Sequence, residues 1–269
     1  MNEITVHALN AINLAFYRER AGEFSATREF PWPGWRRLVR HILAPEETGD
    51  QPLRVLDVGC GNGRFAGFLC EALGRRGARL DYCGLDASAP LLAHARQRPL
   101  PGGTARFVEL DFVEEPTRLP AGPFDLTALL GVLHGVPGRG RRRALVQATA
   151  ERLAPGGVLA LTCWRFAELE RFRRRLVPWE TYNQEAATPI DAAQLEPGDH
   201  LMPWGDGRRP VRYCHATGAD ELGTLVRGLG LERLETYLED GRGGNLNRYA
   251  VFRAPRAGDI ARRRPEPRR

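Results

Sequence analysis

Hydrophobic and polar positions along this chain recur with two different periods. From Thr5 to Arg20, Val6, Leu9, Ile12, Leu14, Ala15 and Phe16 fall at helical spacing, which predicts a helix lying over the ligand site. The stretch Phe24 to Pro33 contains prolines that interrupt a helix, so it reads as a connection. Pro33 to Leu43 predicts a second helix, with Trp35, Leu38, Val39 and Ile42 on one face. From Leu53 to Cys163, short apolar runs of strand length alternate with amphipathic helical segments. That alternation predicts a parallel sheet covered by helices on both sides.

Between Arg165 and Arg209 the pattern lapses into a basic and aromatic mixture followed by a polar, proline-containing connection, which reads as an insertion or cap beside the site. Strand character resumes at Val211–His215, where the sheet is expected to continue. A helix from Ala219 to Leu229 and strands near Leu231–Leu238 and Asn247–Arg253 follow. Five segments result: an N-terminal helical cap (1–50), a core (51–163), an insertion (164–209), strands and a helix that complete the sheet (210–254), and a basic tail (255–269). The tail has too few apolar residues to pack and is expected to be disordered.

The core opens on Arg54-Val55-Leu56-Asp57-Val58-Gly59-Cys60-Gly61-Asn62-Gly63-Arg64-Phe65, a buried strand running into a glycine turn and then a helix. Gly59, Gly61 and Gly63 read G-x-G-x-G, and Arg64 stands where a dinucleotide fingerprint needs its third glycine. Asp57 at the strand end would repel a pyrophosphate but suits a cation. S-adenosylmethionine, with an ammonium, a sulfonium and no phosphate, fits this pattern better than NAD. Asp86 ends the next strand, 23 residues after Gly63, and is placed to accept from ribose hydroxyls. Asp111 ends the third strand, where it could accept from an adenine amino group with Phe112 against the ring. Any one of these acids could be a helix cap; three at successive strand ends point to a nucleoside.

This ordered series resembles the class I S-adenosylmethionine-dependent methyltransferases. Phe124–His134 matches that family's fourth strand and Leu153–Leu161 its turn into the fifth, so the likeness spans Leu53 to Cys163. It implies an α/β fold: a doubly wound, seven-stranded, mostly parallel sheet of the Rossmann-like type, with N-terminal helices and an insertion before the last strands. Outside the core, Phe16-Tyr17, Phe24–Arg28 and Pro31-Trp32-Pro33 are similar to the tRNA wobble-uridine methyltransferases that esterify 5-carboxymethyluridine. So are Gly198–Trp204 and Arg212-Tyr213-Cys214-His215, although Cys214 stands where an aromatic is usual. The narrower resemblance implies a tRNA anticodon loop as substrate, and it leaves room for a small activating subunit.

A carboxylate acceptor is already ionised near neutral pH and needs no general base. It does need a cation to aim it, and Arg28 could supply a two-pronged contact. The plainer reading packs Trp32 and leaves Arg28 in solvent. His134, after the fourth strand, falls at the reactive end of this fold. Arg28 and His134 are thus the candidate catalytic residues; Arg28, Trp32, Trp164, Arg165 and Tyr213 are the candidate acceptor contacts. Two other readings stand beside this one: a small-molecule O- or N-methyltransferase with His134 as base, and a non-catalytic S-adenosylmethionine-binding subunit.

Composition adjusts this picture only slightly. The chain has 269 residues, 42% of them hydrophobic, enough for one large domain. The formal charge is +6, and all 39 basic residues are arginine. Arg139, Arg141, Arg142 and Arg143 precede a helix, and Arg171, Arg173, Arg174 and Arg175 lie in the insertion. Such runs are usually solvated faces and could instead touch phosphate. The five cysteines lack metal or redox spacing, so no metal is expected. Neither an apolar run of membrane length nor a leader-like N-terminus is evident, which makes a cytoplasmic protein the default.

Overall fold

The computed structural model describes residues 1–42, 51–205, 207 and 210–258. Three helices come first, α1 (Glu3–Glu19), α2 (Ala21–Ala26) and α3 (Gly34–Ile42). The core then runs β1 (Leu53–Val58), α4 (Arg64–Gly74), β2 (Leu80–Asp86), α5 (Ala89–Arg96), β3 (Gly103–Glu109), β4 (Phe124–Leu129), α6 (Arg139–Ala150) and β5 (Leu153–Trp164). Beyond it lie α7 (Glu170–Arg173), α8 (Trp179–Asn183), β6 (Asp199–Pro203), β7 (Val211–His215), α9 (Ala219–Val226), β8 (Glu232–Glu239) and β9 (Asn247–Arg253).

Seven strands form one sheet in the order β3-β2-β1-β4-β5-β9-β8, parallel from β3 to β5 and antiparallel at β9 and β8. The doubly wound expectation therefore holds. β1 sits in the middle because its residues are apolar on both faces, and helices cover both. On one face Trp35, Leu38, Val39 and Ile42 of α3 pack against Phe65 and Leu69 of α4. Each such side chain contributes about 1.5 to 3 kcal/mol on burial. The other face holds Leu56, Leu85, Leu133, Leu145 and Leu161. The order reverses beside β1, between its neighbours β2 and β4, and the crevice at the carboxyl ends of these strands is where ligands bind in open α/β sheets.

Three sequence expectations change. The expected connection Phe24–Pro33 is not open from its start, because the helix Ala21–Ala26 takes in Phe24, Ser25 and Ala26 before the prolines intervene. Contrary to the expected continuation of the sheet, Val211–His215 pairs with Asp199–Pro203 in a separate two-stranded antiparallel sheet. The free edge of β5 is taken by β9, and β7 is instead buried beneath α1, where Tyr213 meets Leu9. Arg139, Arg141, Arg142 and Arg143, expected ahead of a helix, lie within α6; Arg139 is exposed and donates to Thr224 Oγ1, whereas the other three are neither solvated nor free for phosphate. Arg142 is 1% exposed and pairs with Glu196 and Glu221, Arg141 pairs with Glu3 and Glu114, and Arg143 donates to the backbone carbonyls of Thr224, Leu225 and Arg227. Leu43 and most of the basic tail lie outside the described residues.

Candidate active site

A cleft of about 830 Å³ opens at the carboxyl ends of β1, β2 and β4, roofed by α1, α2 and the β6–β7 hairpin. Its volume falls in the upper part of the small-molecule range of roughly 300 to 1,000 Å³, which leaves space for two ligands side by side.

The glycine turn forms one wall. Gly61 has φ +54° and nothing within 4 Å of where a Cβ would stand, so its backbone is bare toward the cleft. Gly63 plays a different part from the one expected. It caps α4 at φ +72°, and a Cβ there would meet the Cβ of Ala95 at 3.0 Å; it brings α4 against α5 and does not line the cleft. Asp57 is 2% exposed. One oxygen accepts from the Tyr82 hydroxyl, and Oδ1 has no partner. Burial pushes its carboxyl up to about 7. An unpaired, buried carboxylate oxygen on a cleft wall fits a cationic ligand group.

Asp86 accepts from the backbone N–H of Gly61 and of Ser88, each at 2.9 Å, which ties the glycine turn to the end of β2. Burial raises it to about 6 although these amides oppose the shift. Asp111 accepts from Asn10 Nδ2 at 2.8 Å and from the amide of Val113 at 3.1 Å, so α1 is latched onto this end of the cleft. Phe112 also lines it. The predicted acids and aromatic ring therefore converge on one wall.

The opposite wall is basic and aromatic. The Arg28 guanidinium stacks on Phe24 at 3.8 Å from the ring centroid, and Arg28 donates to Thr27 Oγ1 at 2.7 Å. Arg212, from β7, lies among Phe16, Trp164 and Trp204, at 5.1 to 5.5 Å from their centroids, and its Nε has no partner. Among the described residues no carboxylate pairs with either arginine. Burial, then the charge of Arg212, pushes Arg28 down to about 9. Tyr17 faces both cations; burial raises its hydroxyl while Arg212 opposes the rise. Trp32 and Trp164 line the cleft as expected.

Two predicted acceptor contacts do not reach it. Arg165 turns away to Glu168 and the carbonyl of Asn245. Tyr213 is fully buried on the far face of β7, where its hydroxyl donates to Asp199 at 2.7 Å. A strand exposes alternate residues to opposite faces, so the neighbouring Arg212 takes the cleft position that Tyr213 cannot. His134 does reach the cleft, edge-on to Trp164 with centroids 5.4 Å apart, and its Nδ1 is unpartnered. Burial, then the charges of Arg212 and Arg28, pushes it down to about 3, so it is neutral and weakly basic at physiological pH.

A family model described as "Methyltransferase domain" matches residues 56–159. A ubiquinone biosynthesis O-methyltransferase of Cronobacter sakazakii is 32% identical over 225 residues, which cover 79% of this chain and 73% of that protein. The chain belongs to the class I S-adenosylmethionine-dependent methyltransferases. A second relative of this methyltransferase is a tRNA (carboxymethyluridine(34)-5-O)-methyltransferase of Xenopus tropicalis, 32% identical over 150 residues that span 55% of this chain and 20% of that protein. Among solved structures, a magnesium protoporphyrin IX methyltransferase from Synechocystis with bound SAH superposes at a TM-score of 0.59 and 16% identity, covering 91% of this chain and 99% of that one. At that identity the likeness establishes the fold of the methyltransferase and nothing finer. No helix among its described residues is long and apolar enough to cross a membrane.

Proposed function

We propose that this methyltransferase esterifies a carboxylate, and that its acceptor is the carboxyl group of a 5-carboxymethyl-type wobble uridine in tRNA. The observation behind the reading is the pair Arg28 and Arg212: two cations in an aromatic-walled cleft, with no acid from the described chain to neutralise them. Such a pair is complementary to an anionic acceptor. It would be a hindrance to a neutral hydroxyl or an amine. His134 at about 3 is a poor general base, which weakens the small-molecule O- or N-methylation reading in which it takes a proton.

S-adenosylmethionine supplies an electrophilic methyl when bound. Asp57, Gly59, Gly61, Asp86, Asp111 and Phe112 are the residues that would hold it, with Asp57 beside its positive charges. Arg28 and Arg212 then aim the acceptor oxygen, and Trp164, Trp32 and Trp204 exclude water from the line of attack. An unpaired anticodon base can be splayed out and stacked on Trp164. If Asp86 holds the ribose, Asp86→Ala weakens S-adenosylhomocysteine by about 1.5 to 3 kcal/mol in calorimetry. Unchanged affinity would remove Asp86 from the site.

A second reading, a free carboxylic acid as acceptor, gains support from Arg141, Arg142 and Arg143 of α6, which are consumed within the fold and do not form a phosphate track. Radiolabelled donor separates the two. Label should enter tRNA carrying 5-carboxymethyluridine, stay out of the same tRNA with plain uridine, and be released by mild alkali as an ester. Alkali-labile label in small aromatic acids alone selects the second reading; alkali-stable label overturns both.

A further inference from the structure

Arg212 stands on a strand whose other face carries a buried charge cluster that the cleft does not use. His215 presents Nδ1 to Asp199 Oδ1 at 2.7 Å and Nε2 to Glu221 Oε2 at 2.9 Å. A neutral imidazole has one N–H and one lone pair, so it would aim that lone pair at a carboxylate whichever tautomer it adopted. Only the imidazolium donates to both. Charge counting agrees. Asp199, Glu196 and Glu221 converge from β6, the loop before it and α9, and among the described residues Arg142 of α6 is the one guanidinium that pairs with them. His215 is the second cation this cluster requires. The other titratable neighbours are Tyr213, which donates to Asp199, and His200 on β6.

We propose that His215 is a positioning residue: as an imidazolium it clasps β7 between β6 and α9, and this fixes the strand from which Arg212 reaches the acceptor. The role of Arg212 in that statement rests on the carboxylate reading above; the state of His215 does not. Asp199 and His215 are register partners across the hairpin, so the clasp lies three residues from Arg212 on a strand of only five. Burial opposes a charged His215, but the hydrogen bonds to Asp199 and Glu221 outweigh it and raise the group above 6.5. Burial likewise opposes an ionised Glu221, yet His215 and Arg142 hold it down at about 2. For a raised histidine the stabilising contribution is complete below its unfolded pKa and is lost as pH rises through the folded value. The clasp therefore opens on the alkaline side.

The test uses the whole chain in solution. In NMR titrations, the His215 Cε1–H resonance should move with a midpoint above 6.5, and the Arg212 Nε–H resonance should move with that same midpoint. Over the same titration the acceptor KM should rise about ten-fold, the equivalent of one weakened charge-assisted contact, with kcat at saturating donor unchanged. His215→Gln, which keeps a donor but not the charge, should show the higher KM at every pH. If that variant fails to fold, the wild-type titrations still decide. His215 titrating at or below its ordinary value would overturn the clasp, and so would an Arg212 signal that ignores the titration. If no carboxylate is methylated at all, the proposed acceptor falls while both resonances still report on His215.

Discussion

Replacing Arg212 with alanine is expected to lower kcat/KM for a carboxylate acceptor by about 100- to 1,000-fold, the range that follows from truncating one partner of a desolvated charge pair. Arg28→Ala should fall in the same range. Neither change strands a counter-charge, because no described carboxylate pairs with either arginine, and the two cations repel one another when the cleft holds no anion. The fold should therefore survive, with thermal stability unchanged or slightly higher. Arg28→Lys should recover little activity, since an ammonium lacks the planar fork that grips both carboxylate oxygens and stacks less well on Phe24. Single-turnover rates at saturating donor, with acceptor concentration varied, isolate the effect from product release. Wild-type kcat/KM in both alanine variants would sink the carboxylate reading. Loss of donor affinity in Arg28→Ala, with acceptor affinity intact, would reassign Arg28 to the methionine carboxylate of the donor.

Donor affinity should rise with pH by about 30-fold between pH 5.5 and 8, the ratio of ionised fractions for a group titrating at about 7, which Asp57 is. The sign follows from burial. An acid whose folded pKa is raised destabilises the protein as pH climbs from its unfolded value, about 3.8, through its folded value, because the charged form must then be kept out of water. Asp86, at about 6, acts in the same direction over a lower interval. The ligand-free protein should accordingly lose thermal stability from pH 5.5 to 8, and the methyl donor should restore more of it at the higher pH. S-adenosylmethionine should restore more than S-adenosylhomocysteine, which lacks the sulfonium charge. The chemical step should meanwhile show no titration near 6.5, because His134 stays neutral throughout. Thermal shift and calorimetry across this range check the first part, and single-turnover rates the second. A pH-independent donor affinity would remove Asp57 as the charge partner. A base titrating near 6.5 and lost in His134→Ala would restore the alternative mechanism.

The glycine turn, the strands on either side of it and the acids at their ends were legible in the sequence because each depends on a local rule. An apolar run of strand length, a turn that needs positive φ at Gly59, Gly61 and Gly63, and a carboxylate within two residues of a strand end are all written within a few positions of one another. Tertiary structure alone decided what the charged residues do. The partners of Arg142 lie 54 and 79 positions away in Glu196 and Glu221, so no run length or spacing could separate it from a phosphate-binding arginine. Whether Arg212 or Tyr213 faces the cleft depended on which sheet β7 joined, since choosing the other face exchanges every side chain along a strand. The low basicity of His134 came from burial beside two cations contributed by distant segments. Electrostatic roles are set by neighbours in space, and the chain order of an α/β protein leaves those neighbours far apart in sequence.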